Sequence, residues 1–119
     1  MVAVAALAIV ALTPSPASAT PRQLVSKAQW AAVRDGMTLA QVQKALGGKR
    51  LYLDFESTFE WYPSGTAVMR TYSRTAEVGD CYQDVSFTFD NISADLESLG
   101  PMTLDSKSRF EFGCSGVVK

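Results

Sequence analysis

The residues of this chain with chemical potential are its carboxylates, its tyrosines and two cysteines, because histidine is absent. Without imidazole the commonest general base and metal ligand is missing, and no Ser-His or Cys-His nucleophile can be assembled. Cys81 and Cys114 form an even pair, the pattern of a disulfide in an exported chain, and bonded sulfurs serve neither as nucleophile nor as zinc ligand. Carboxylates such as Asp80 and Asp84 have the spacing of acid–base partners, and equally that of one polar sheet face. Gly47-Gly48 follows a helix-like run, whereas a phosphate-cradling loop precedes one. The expectation is a chain that is not an enzyme, with no cofactor and no metal.

Charge and aromatics point toward binding. The net charge of −1 argues against nucleic acid as a partner. Between Arg22 and Arg50 lie six basic residues and only Asp35 as an acid, while Glu77 to Glu97 holds six acids and no base. Such segregation reads either as solvated faces or as an acidic edge that steers toward a positively charged cleft. Tyr52 and Tyr82 fall on outward strand phases beside charged residues, which is the anchor chemistry of protein interfaces. Trp30 and Trp61 occupy inward phases and read as core.

The elements that must position these groups begin after a leader. Met1 to Leu12 is apolar, Thr13-Pro14-Ser15-Pro16 breaks it, and Ala17-Ser18-Ala19 is a small-x-small cleavage site. Residues 1–19 therefore read as a secretory signal peptide, too short to span a bilayer at about 20 residues. The expected product is one secreted, extracellular domain over 20–119, with 20–24 a flexible leader and no membrane attachment after cleavage. Ser26 with Gln29 and Thr38 with Gln41 are two capping boxes, each opening a short helix. Asp35-Gly36 and Gly47-Gly48 end them. Beyond Arg50 the pattern alternates: Leu51, Leu53 and Phe55 in one phase, then Phe59 and Trp61, then Val85, Phe87 and Phe89.

The cysteines suggest a register for the last two strands. Setting Asp90 opposite Asp105 in an antiparallel hairpin also sets Cys81 opposite Cys114, where β-carbons approach closely enough to bond. The same register places Phe110 and Phe112 with Cys81, Val85 and Phe87, and places Arg109 with Tyr82 and Asp84 on the other face. A bridge closing about 34 residues stabilises by roughly 3–4 kcal/mol. The fold class expected from these signals is α+β, a helical hairpin packed on one face of a four-stranded antiparallel sheet, with the opposite face open.

Three motifs in order resemble one repeat of the secreted β-lactamase inhibitor family, a BLIP-like domain. They are Gly36-Met37-Thr38 with Gln41-Val42, Gly79-Asp80-Cys81-Tyr82 leading to Phe87-Thr88-Phe89, and Asp105-Ser106-Lys107-Ser108. The resemblance implies that Asp80 stands on a hairpin loop which enters the lactamase active site, with Tyr82 beside it. This chain departs from the family in having one repeat where the inhibitor has two, Cys81 in place of a tyrosine, and a differently placed disulfide. The expected partner is a protein, a class A β-lactamase or a penicillin-binding protein, with a homodimer as a way to restore the paired clamp. The expected partner-binding residues are Asp80, Tyr82, Asp84, Tyr52 and Arg109. The helix start alone also resembles small lipoproteins of outer-membrane assembly, and a cell-envelope scaffold is the alternative reading.

Overall fold

The computed structural model describes residues 23–93 and 95–119; the expected signal peptide, 1–19, and residues 20–22 of the expected leader lie outside them. Four strands form one antiparallel sheet in sequence order: β1 Tyr52–Trp61, β2 Gly65–Val78, β3 Cys81–Ile92 and β4 Leu99–Phe112. They follow two short helices, α1 Lys27–Ala32 and α2 Leu39–Ala45. Strands of 10, 14, 12 and 14 residues dominate helices of 6 and 7. The fold is thus mainly β, which corrects the α+β helical hairpin expected from the capping signals.

The reason lies in length. Both capping boxes form: Ser26 accepts from the Gln29 amide and Thr38 from the Gln41 amide, each with the reciprocal bond. Neither helix exceeds two turns, and a helix that short has no axis along which to pack. α1 buries no residue fully and α2 buries only Val42. Residues 23–51 act as an irregular strap instead, joined to β4 where Gly36 donates to the Leu104 carbonyl (2.9 Å) and Leu104 donates to that of Met37 (2.7 Å).

The main core contains Val25, Val33, Val42, Leu46 and Leu51 from this strap, with Val85, Phe87, Phe89 and Leu104 from the sheet. From Cys81 to Asp90, β3 alternates between buried and half-buried residues, as the sequence pattern requires of a strand covered on one side. A smaller cluster gathers Leu24, Ala76, Cys81 and Val118. Leu24, at the end of the expected flexible leader, is therefore buried. It is tied in by Gln83, whose side chain is also buried and pairs with both backbone groups of Val25.

Two local irregularities reset the faces. β1 carries a bulge between Leu53 and Phe55, so the extra residue moves Phe55, Phe59 and Trp61 to the face opposite Leu53. In the last hairpin Tyr82 pairs with Phe112, Asp84 with Phe110 and Val85 with Arg109. From Tyr82 to Thr88 that is one residue away from the register expected from the cysteines, and a register shift between Thr88 and Phe89 widens it to two, so that Asp90 pairs with Thr103 where Asp105 was expected. Cys81 and Cys114 are nevertheless bonded, with Cα atoms 4.3 Å apart, because Cys114 lies past the end of β4 and curls back through Gly113 at φ +69. A Cβ on Gly113 would collide with the Asp80 carbonyl oxygen, so only glycine makes this closure.

Candidate functional site

Residues directly paired across strands share a face, so the pairings assign every strand residue to the strap side or the open side. The open side reads in rows across the sheet. One row holds Tyr52, Ser73, Ser86 and Ser108; the next but one holds Thr75, Asp84 and Phe110; the last holds Glu77, Tyr82 and Phe112. Its middle is a floor of small hydroxyls. Ser86 and Ser108 Oγ atoms lie 2.8 Å apart, and those of Thr71 and Thr88 lie 3.0 Å apart, which satisfies them without long side chains.

The β2–β3 turn is two residues long, since Val78 pairs with Cys81. Gly79 takes φ +61 at the first central position, as a II′ hairpin turn requires. Asp80 follows it, exposed at the tip. Two contacts stiffen the platform beneath: the Cys81–Cys114 disulfide, and the close approach of Gly113 to the Asp80 backbone.

The expected site residues therefore divide. Asp80, Tyr82 and Asp84 stand together at one end of the open side. Tyr82 meets Phe110 edge to face at 6.1 Å, and Asp84 accepts from the Thr75 hydroxyl at 3.2 Å. Phe110 and Phe112, expected in the core, join them as exposed aromatics, at 58% and 70%. Sequence reasoning missed this pair. The signal for it was Gly113, the flexible residue before Cys114 that frees the disulfide from the strand register. Tyr52 is exposed on the same side, two strands and four residues away from Tyr82, about 16 Å. Arg50 lies over its ring at 5.2 Å.

Arg109 is the correction. Paired with Val85, it lies on the strap side, where its guanidinium stands 5.2 Å from the centre of the Trp30 ring. Lys107 is beside it at 4.6 Å from the same ring and donates to the Trp30 and Val33 carbonyls at 2.6 and 3.0 Å. The Trp30 carbonyl also accepts from the amide of Val33, the C-cap of α1, at 3.2 Å, so Lys107 ties down the C-terminal end of that helix. Burial holds the Lys107 ammonium below the ordinary lysine range, with Asp35 opposing that shift and Arg109 adding to it. Arg109 and Lys107 thus cover Trp30, which in turn packs on Phe87 at 5.6 Å. Glu111 lies on the strap side and accepts from Gln83 Nε2 at 2.7 Å.

Trp61, expected in the core, is half-buried near the far end of the open side and packs edge-on to Phe59 at 6.0 Å. Among the described residues no group of histidine, cysteine, aspartate and glutamate side chains could hold a metal ion, and no helix is long and apolar enough to cross a membrane. Comparison with protein families, curated proteins and solved structures finds no match for this chain.

Proposed function

We propose that the chain is a secreted protein-binding module that docks its partner through the end of the open side around Tyr82, Phe110 and Phe112. The observation carrying this reading is the exposure of Phe110 and Phe112 against Tyr82 on a face that the strap leaves uncovered. Aromatic anchors on a rigid support lose little conformational freedom on binding. Asp80 at the adjoining turn adds one exposed carboxylate, suited to a cleft rich in lysine, serine or arginine donors. The resemblance to the inhibitor family makes a class A β-lactamase, or a related penicillin-binding protein, the target of choice.

The test is nitrocefin hydrolysis by a panel of class A β-lactamases, with the purified oxidised protein titrated to micromolar levels. Inhibition is expected, and Asp80→Ala and Phe112→Ala should each weaken it at least tenfold without lowering Tm. Absence of inhibition across the panel would remove the lactamase as target. Inhibition untouched by either substitution would remove this end of the sheet as the docking site.

A further inference from the structure

The end of the sheet remote from Asp80 carries a concavity of its own. Glu60, Trp61, Tyr62 and Pro63 face Leu96 and Glu97 across about 560 Å³. The 14 residues of β2 separate it from the Asp80 turn by about 46 Å. Its walls are joined by two bonds: Trp61 Nε1 donates to the Leu96 carbonyl at 3.2 Å, and Ser64 Oγ donates to that of Glu97 at 2.7 Å. Leu96 reaches this position at φ +62, a conformation unfavourable for a leucine. Its own amide is held by the Ser93 carbonyl at 2.8 Å.

These contacts fix the indole by its edge and by Phe59, and the ring stays partly exposed. Tyr62 is 86% exposed beside it. Neither Glu60 nor Glu97 enters an ion pair among the described residues, and no lysine or arginine lines the concavity. Two aromatic rings and two carboxylates without cationic partners around one cavity form the recognition set for an organic cation. A hard metal ion would need several more oxygen ligands than this wall presents.

We infer that the notch between Trp61, Tyr62, Glu60 and Glu97 binds the cationic side chain of an arginine or lysine on a partner polypeptide. A guanidinium suits it better than an ammonium, because its plane stacks on a ring while its edge pairs with a carboxylate. The notch is independent of the docking surface at the Asp80 end, so either assignment can fail alone.

The test uses ¹⁵N-labelled protein and the indole N–H signals of its two tryptophans, assigned with Trp61→Phe. Acetyl-Gly-Arg-Gly-amide is titrated to tens of millimolar, against the lysine and norleucine equivalents and tetramethylammonium chloride at matched ionic strength. Saturable movement of the Trp61 signal, strongest for the arginine peptide, is expected with the Trp30 signal unmoved. Glu60→Gln with Glu97→Gln should weaken the apparent affinity about fivefold or more. A norleucine response equal to that of arginine, or an affinity unchanged in the double variant, would overturn the assignment. A response to tetramethylammonium alone would overturn the peptide side chain as its ligand.

Discussion

Replacing Gln83 by leucine should destabilise this domain more than its position on a regular strand suggests. Gln83 is 2% exposed, and its amide makes three bonds. It accepts from the Val25 amide at 2.7 Å, donates to the Val25 carbonyl at 3.0 Å and donates to Glu111 at 2.7 Å. Leucine fills nearly the same volume, so the cavity contribution is small. Val25 is fully buried and would keep both backbone groups without a partner, at about 1–3 kcal/mol each. Glu111 is partly exposed and can turn to water. A loss of about 3 kcal/mol follows, and for a domain of this size it lowers Tm by about 12–24 °C. The assay is thermal unfolding of the oxidised protein followed by circular dichroism, with urea unfolding to check that the m-value is unchanged. Amide exchange at Val25 should quicken in parallel, since the strap loses its tether. Glu111→Gln is the control, and its cost should stay below about 1 kcal/mol because the glutamine side-chain oxygen can still accept from Gln83 Nε2. A Tm drop under about 4 °C for Gln83→Leu would refute the claim that this side chain pins the strap to the sheet.

Two further outcomes follow from particular contacts. Gly113→Ala should cost about 2–3 kcal/mol, because φ +69 and the Asp80 carbonyl both reject a Cβ; its melting curve measures the loss, and an unchanged Tm would argue against the tight closure. Asp105 has its carboxyl held above the ordinary value of 3.8 by burial, then by Asp90 and Asp35. A raised carboxyl pKa means the folded state holds the proton more tightly, so stability falls as pH rises from 3.8 through the folded value and stays lower above it. Asp105→Asn should therefore raise Tm at pH 7, by an amount that shrinks toward zero below pH 3.8; an advantage constant with pH would contradict the electrostatic cause.

Much of the local structure was legible because it depends on near neighbours. Ser26 with Gln29, and Thr38 with Gln41, cap helices at the expected residues, since a capping box is satisfied within four positions. The alternation of Val85, Phe87 and Phe89 gave a strand buried on one side. The bond between Cys81 and Cys114 was equally readable.

Sequence alone decided the helix caps, the alternation of β3 and the cysteine pairing, each governed by short-range geometry or by composition. Only the tertiary structure decided which face each residue serves. A strand has period two, so one residue of slip moves every side chain across the sheet. The bulge between Leu53 and Phe55 and the turn at Gly113 each introduce such a slip. Alternation in β4 could not reveal it, because Lys107 and Arg109 cover Trp30 with apolar stems and so occupy a core-facing phase that their charges disguise. That is why Arg109 left the expected site and Phe110 and Phe112 entered it. The same one-residue arithmetic turned Trp61 outward to the notch beside Glu97.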